Sequence, residues 1–214
     1  MTTVTHEMLD GLRQRVMSSM SQKRAIHTLA VEDMIVRLSE LYCPEHCMQL
    51  RAAALLHDIT KELKAEEQIA LCGAYGIDLT AADLHSPKTH HARTAAERIK
   101  RDFPEFADPI IIDAVRWHTT GHAGMTLTEK LLYLADYIDL SRTFPSCVLL
   151  RRYFFGAKPE EMNREEKDAL LCDTLLLSYD LTVKDLLAEG KLVASDTVDA
   201  RNELLIEASA RKSY

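Results

Sequence analysis

Helical periodicity runs through almost the whole chain, and it constrains the fold more than any other feature of the sequence. Apolar residues recur at three- and four-residue spacings, and the alternating β-branched runs that are typical of strands are missing. Glycine (7 residues) and proline (6 residues) are scarce among the 214 residues, so few points interrupt a helix. The pattern predicts an all-α fold of about nine helices.

Local signals predict where several of these helices begin and end. The predicted starts are the N-cap Ser21, Pro44, Ser86-Pro87, Asp108-Pro109, the capping box Thr126-x-x-Glu129, and the N-cap Ser146. Residues 163–210 are predicted to form two or three helices, with breaks near Thr182 and Gly190.

The length and the absence of a clear linker favour one domain. No repeat or low-complexity tract divides the sequence, and residues 157–163 are only a weak candidate for a boundary. We predict a single domain over residues 1–214. Its helical core covers about 21–156, and a C-terminal helical extension, about 160–212, packs on that core.

Charge and hydropathy exclude several classes of partner. The formal net charge is −7, whereas a general nucleic-acid binder more often carries a basic face. The most apolar stretches, 52–56 and 169–177, are too short or too interrupted by charge to span a bilayer, and residues 1–20 lack a secretory hydrophobic region. The five cysteines contain no C-x-x-C pair and are expected to be reduced. We expect a cytoplasmic protein that binds neither nucleic acid nor membrane, and homodimerisation stays open.

Several polar residues fall on helix faces that should point inward. His27 shares a face with Val31, His118 follows an apolar face, and Asp136 is predicted to share a face with Leu140. A single buried histidine is more often a hydrogen-bonded core residue than a ligand, whereas a buried carboxylate without a partner is costly. Several such residues can offset that cost together by sharing a metal ion.

The apolar segment 51–56 ends abruptly at His57-Asp58, two residues of types that bind metals. Alone, this pair is best explained as the end of a helix and a turn. It favours a metal centre once it is counted with the other candidate ligands along the chain: His27, His91, His118 and Asp136.

The ordered pattern H…HD…H…H…D resembles the HD-domain phosphohydrolases, and in detail the branch of symmetrical diadenosine tetraphosphate hydrolases. The resemblance covers residues 23–152. It is carried by Ala54–Lys61 (ALLHDITK), His91-Ala92, Ala114–Gly121 (AVRWHTTG), Leu134–Ile138 (LADYI) and Arg142–Pro145 (RTFP). His-Asp alone is a weak signal, whereas the ordered six-ligand set with these segments is a strong one.

The resemblance implies two divalent or transition metal ions that share one carboxylate. His27, His57, Asp58 and Asp136 would hold one ion, and Asp58, His91 and His118 would hold the other. Imidazole and carboxylate ligands without thiolate suit iron, our preferred metal, and also manganese or zinc. His90 is the rival of His91, which is preferred because Ala92 continues the family pattern.

The same resemblance assigns further residues to the substrate. Asp58 and Lys61 are predicted to be catalytic, with Lys61 neutralising a substrate phosphate. Asp139 stands where the family favours glutamate, and its role is left open. The predicted phosphate contacts are Thr119 and Arg142, which match family positions, and His122, for which support of the metal ligands is the alternative.

The implied reaction is hydrolysis of diadenosine tetraphosphate, or of similar dinucleoside polyphosphates, to two ADP molecules by a metal-activated water. One alternative is an HD phosphohydrolase acting on deoxynucleotides or on a stringent-response nucleotide. Another is a non-catalytic HD regulator that binds nucleotide or a partner protein. The six-ligand set disfavours the mononuclear HD enzymes, and an idle buried charge cluster would be costly to keep.

Overall fold

The computed structural model describes residues 3–211, and that part of the chain is all-α, as predicted. It contains eleven α-helices and no strand. The helices are α1 (His6–Met17), α2 (Gln22–Tyr42), α3 (Cys47–Leu56), α4 (Ala65–Ala74), α5 (Ala81–Leu84), α6 (His90–Asp102), α7 (Pro109–Trp117), α8 (Leu127–Ile138), α9 (Pro145–Gly156), α10 (Arg164–Ala188) and α11 (Ser195–Arg211). Four 3-10 turns begin at prolines: Pro44–His46, Pro87–Thr89, Pro104–Phe106 and Pro159–Glu161.

The core is built around α3. This helix packs on α1, α2, α7 and α8, and six of its ten residues are buried. Its sequence, CMQLRAAALL, explains the position, because consecutive alanines let neighbouring helices approach while the leucines fill the space between them. The chain leaves α3 at His57, which has no exposed surface, so the residues after the helix begin inside the protein.

Three predicted helix starts are confirmed by their cap geometry. Ser21 caps α2, Asp108 caps α7, and Thr126 with Glu129 forms a capping box at α8. Each cap oxygen accepts a backbone N–H that the first turn would otherwise leave unpaired. The caps therefore fix the starts of three helices that position candidate ligands.

Other boundaries correct the predictions. Ser146 is not an N-cap, because α9 begins one residue earlier at Pro145, and proline is well suited to the first helical position. The predicted break near Thr182 is wrong: α10 is continuous there, since one threonine costs less than about 1 kcal/mol of helix propensity and packing overrides it. The break at Gly190, where φ is 64°, is confirmed.

The prediction that Leu140 shares the buried face of Asp136 is wrong. Helix α8 ends at Ile138, and Leu140, two residues beyond it, is 66% exposed.

The C-terminal helices pack on the preceding ones. α10 contacts α8, α9 and α11. Tyr179 of α10 is fully buried and stacks on Tyr133 of α8, with 4.7 Å between the ring centroids. A single domain over 1–214 stays a prediction, and residues 1–2 and 212–214 lie outside the described part. Within residues 3–211, no helix combines the length and the apolar character needed to cross a membrane.

Gly121 is a position where the backbone admits no side chain. Its φ is 63°, and an added Cβ would lie 1.9 Å from the hydroxyl oxygen of Tyr179. We expect Gly121→Ala to lower the free energy of unfolding by about 2–5 kcal/mol, the sum of the left-handed penalty and a clash in the core. Denaturant unfolding would measure the loss.

Gly124→Ala is the matched control for this prediction. Gly124 also has a positive φ, 80°, but an added Cβ there meets nothing within 4 Å. Gly124→Ala should lower the free energy of unfolding by about 1–2 kcal/mol, because only the left-handed backbone conformation is penalised. Equal losses in the two variants would show that the close approach of Tyr179 does not matter.

Candidate metal centre

Six side chains of metal-ligand type meet where five helices converge, and we call them the ligand cluster. The six are His27 in the second turn of α2, His57 and Asp58 directly after α3, His91 in the first turn of α6, His118 directly after α7, and Asp136 near the end of α8. Five of them are buried, and the side chain of Asp136 is 17% exposed. The structure thus brings all six predicted ligands together.

The first half of the ligand cluster surrounds one side of Asp58. Nε2 of His27 lies 2.9 Å from Oδ1 of Asp136 and 3.8 Å from Oδ2 of Asp58. Nε2 of His57 lies 3.4 Å from the same Asp58 oxygen and 3.8 Å from Oδ1 of Asp136. The ligand atoms of His27, His57 and Asp136 lie within 4.8 Å of one another, close enough to hold one cation, and Asp58 lies beside both imidazoles.

The second half surrounds the other oxygen of Asp58. Nε2 of His91 lies 3.3 Å from Oδ1 of Asp58, and Nε2 of His118 lies 3.7 Å from it. The two Nε2 atoms are 3.0 Å apart. Asp58 consequently directs one carboxylate oxygen to each half.

Backbone carbonyl groups orient three of the four imidazole rings. Nδ1 of His57 lies 2.6 Å from the carbonyl oxygen of Ala54, and His91 and His118 make the same contact with the residues three positions before them, at 2.8 and 2.6 Å. A ring that donates its Nδ1–H in this way presents a free lone pair on Nε2. All three Nε2 atoms point into the ligand cluster.

His27 is oriented differently, by Ser141 and Asp139. Nδ1 of His27 is 3.3 Å from the hydroxyl oxygen of Ser141, its hydrogen-bond partner, and 3.4 Å from Oδ2 of Asp139. Oδ1 of Asp139 accepts a 2.8 Å hydrogen bond from the backbone N–H of Ser141. Asp139 is fully buried, so this carboxylate is fixed behind the ring. Burial would lower the pKa of His27, but its contacts with Asp136 and Asp139 raise that pKa to about 9.

The protonation states of most of the ligand cluster suit a cation. Burial alone would raise the carboxyl pKa of Asp58, yet the surrounding histidines hold it well below its usual value. Burial would also raise the pKa of Asp136, which the Arg142 charge holds well below the usual range. Burial lowers the imidazole pKa of His91 and of His118. Ionised carboxylates and neutral imidazoles are the forms that bind metals.

The residues present fit a metal ion. Nε2 of His57 and Oδ1 of Asp58 are buried in the ligand cluster without a hydrogen-bond partner within residues 3–211. Buried polar atoms left unpaired are costly, and a shared cation would satisfy both. Mixed imidazole nitrogen and carboxylate oxygen suits a divalent transition metal.

Three cationic side chains border the ligand cluster. Nζ of Lys61 lies 3.0 Å from Nε2 of His91. Arg142 contacts Asp136, and Arg24 contacts Asp58. Arg24 was not among the residues predicted from the sequence, although its place three residues before His27, on the same side of α2, was an available signal.

The remaining predicted residues divide into two groups. Thr119 is at the ligand cluster, since its Oγ1 lies 3.0 Å from Nε2 of His91. His90 is outside it, with Nε2 placed 2.9 Å from the carbonyl oxygen of Asp83. His122 is also outside: its ring packs at a tilt against Trp117, with 4.4 Å between the ring centroids.

A buried polar network ties the turn after α3 to α6. Oγ1 of Thr60 donates to the carbonyl oxygen of His91 at 2.9 Å, and the carboxamide nitrogen of Gln68 donates to the carbonyl oxygen of Thr60. Thr94 donates to the carboxamide oxygen of Gln68 at 2.9 Å. The network fixes the distance between Asp58 and His91, which lie on the two elements that it joins.

The family model for the HD domain matches residues 24–141. The chain is 33% identical over 137 residues to a symmetrical bis(5'-nucleosyl)-tetraphosphatase of Bacillus subtilis (strain 168), over 64% of this chain and 72% of that protein. It is 27% identical over 196 residues to a protein of the same name from Halalkalibacterium halodurans, over 91% of this chain and 95% of that one.

One solved structure is similar over nearly the whole chain. It is a crystal structure of a predicted HD superfamily hydrolase involved in NAD metabolism from Clostridium acetobutylicum. The two chains are 31% identical, and the match covers 92% of this chain and 97% of that one with a TM-score of 0.79. The arrangement of helices described above is therefore shared with this protein.

Proposed function

This chain belongs to the HD domain family, and from that membership and the geometry of the ligand cluster we propose that it hydrolyses diadenosine tetraphosphate to two ADP molecules. The family makes it a hydrolase. The substrate is inferred from relatives named symmetrical bis(5'-nucleosyl)-tetraphosphatase. Similar dinucleoside polyphosphates are included in the proposal.

One observation carries the proposal of a two-metal site: Asp58 directs its two oxygens to different sets of ligands. Oδ2 is 3.4 Å from His57, and Oδ1 is 3.3 Å from His91. Asp58 would bridge the two ions. His27, His57 and Asp136 would complete one site, and His91 and His118 the other. The nitrogen and oxygen donors favour iron, with manganese and zinc as alternatives.

When bound, such metal ions lower the pKa of a water molecule and polarise a phosphoryl oxygen. The chain itself supplies the charge that binds the polyphosphate. Arg24 and Arg142 lie at the carboxylates of the ligand cluster, and Lys61 lies at His91, so cations border both halves. Thr119 adds a hydroxyl group near His91. These side chains would hold phosphate oxygens and stabilise the negative charge that grows on them in the transition state.

Product analysis tests the proposal. Metal-loaded protein incubated with diadenosine tetraphosphate in 18O-labelled water should give ADP as the only adenine product, with the label in one of each two ADP molecules, because one water attacks one phosphorus. Chelation should abolish the reaction, and added metal should restore it.

Two outcomes would contradict the proposal. ATP plus AMP as primary products would show that the polyphosphate binds in another register over the ligand cluster. Turnover of deoxynucleotides without turnover of any dinucleoside polyphosphate would show that the proposed substrate is wrong, while the proposed metal site would stand.

A further inference from the structure

A cleft of about 700 Å3 opens beside the ligand cluster, and we call it the cationic cleft. One wall is the start of α2 and the other is the α8–α9 connection. Its lining includes His27, a member of the ligand cluster, and Arg142, which contacts Asp136. A molecule in this cleft would therefore reach the ligand cluster.

The charges of the cationic cleft favour an anion. Lys23, Arg24 and Arg142 contribute to its walls, and no carboxylate is among the nine lining residues. Arg24 and Arg142 lie at the inner end, against Asp58 and Asp136. Phosphate groups that run along this wall would be led towards the ligand cluster.

Two large apolar side chains also line the cleft. Phe144 is 64% exposed and Ile26 is 56% exposed. They come from opposite walls, Ile26 from the second turn of α2 and Phe144 from the N-cap position of α9. Single exposed apolar residues are ordinary, but an exposed aromatic ring above a phosphate-attracting wall is a common way to bind a nucleobase.

The wall that carries Phe144 is held in place. Pro145 occupies the first position of α9 and restricts the backbone there. Arg151 of α9 donates hydrogen bonds to the carbonyl oxygens of Ile138 at 2.7 Å and of Arg142 at 2.8 Å, and these bonds hold the α8–α9 connection in place. The Phe144 ring therefore projects from a fixed segment, so ligand binding costs little conformational entropy there.

We propose that Phe144 stacks on the nucleobase of one ADP half of the substrate, with Ile26 on the opposite side, while the phosphates of that half follow Arg24 and Arg142 to the ligand cluster. The proposal rests on the proposed function. It makes Phe144 a binding residue for the base, which is anchored at one end of the cleft while the ligand cluster lies at the other. Stacking tolerates every base, so the same cleft would accept guanine or adenine.

Binding of ADP and of inorganic pyrophosphate to the metal-loaded protein, measured by calorimetry, tests the proposal. Phe144→Ala should weaken ADP binding on the order of 10-fold or more and leave pyrophosphate binding unchanged, since only ADP carries a base. Phe144→Tyr should restore ADP binding. The matched control is Leu149→Ala, which removes another exposed side chain of α9, 50% exposed and outside the cleft, and it should change neither.

In turnover, the same loss should appear in KM rather than kcat, since stacking is present in both ground and transition states. Unchanged ADP binding in Phe144→Ala, or equal weakening of ADP and pyrophosphate, would overturn the base-binding role. Because these titrations need no turnover, they are independent of the proposed reaction. The wild-type protein could fail to cleave diadenosine tetraphosphate while Phe144→Ala still loses affinity for ADP alone. That result would refute the proposed reaction and support the base-binding role of Phe144.

Discussion

Asp58→Asn is expected to reduce kcat/KM for diadenosine tetraphosphate on the order of 10³-fold or more. Its two carboxylate oxygens face the two halves of the ligand cluster, at 3.4 Å from His57 and 3.3 Å from His91. The amide keeps the volume but offers only one oxygen and carries no charge, so one half loses its shared ligand and the other keeps only a weak neutral donor. Loss of both ions removes several kcal/mol of transition-state stabilisation, and each 1.36 kcal/mol is a factor of ten in rate.

Steady-state kinetics of Asp58→Asn beside Asp113→Asn would separate this effect from a general change of charge. Asp113 is an exposed residue of α7, outside the ligand cluster, and the same substitution there should leave the rate unchanged within about twofold. A kcat/KM for Asp58→Asn within tenfold of the wild-type value would show that Asp58 is not required for the reaction.

Lys61→Met is expected to lower kcat on the order of 10²-fold while metal content stays the same. The ammonium lies 3.0 Å from Nε2 of His91, at the edge of the ligand cluster, where it can meet a phosphate oxygen. Methionine keeps the length and apolar stem of the side chain, so the variant removes mainly the charge. Loss of one group that stabilises developing charge typically costs about 10²–10³-fold.

Lys64→Ala is the matched control, because Lys64 is an exposed lysine three residues further along the chain. It should have wild-type kinetics. Lys61→Met with wild-type kcat would mean that the charge of Lys61 takes no part in the reaction. A variant that had lost its metals would show instead that Lys61 supports the ligand cluster.

The ligand positions could be predicted from the sequence because each one sits at a fixed point of a helix. His57 and Asp58 directly follow the apolar α3, and His118 directly follows α7, so the same helix that packs in the core also places the ligand. Resemblance decided between His90 and His91, and in the structure it is His91 whose side chain lies in the ligand cluster. Adjacent residues on a helix point about 100° apart, so only one of them can face the ligand cluster.

Other parts of the site depend on contacts between distant segments, which the sequence does not reveal. Asp139, 112 positions away along the chain, and Ser141 contact Nδ1 of His27, and nothing in their local sequence indicates this partner. The cationic cleft likewise forms only where the start of α2 meets the α8–α9 connection. His122 lies next to the motif that carries His118, yet the turn at Gly121 directs it onto Trp117 instead.

Counting the metal ions on the wild-type protein and on Asp58→Asn is the decisive measurement. Protein loaded anaerobically with Fe(II), freed of loosely bound metal and analysed by mass spectrometry should hold roughly two ions per wild-type chain and almost none per Asp58→Asn chain. One ion per wild-type chain, or two ions retained in Asp58→Asn, would contradict a two-metal centre bridged by Asp58.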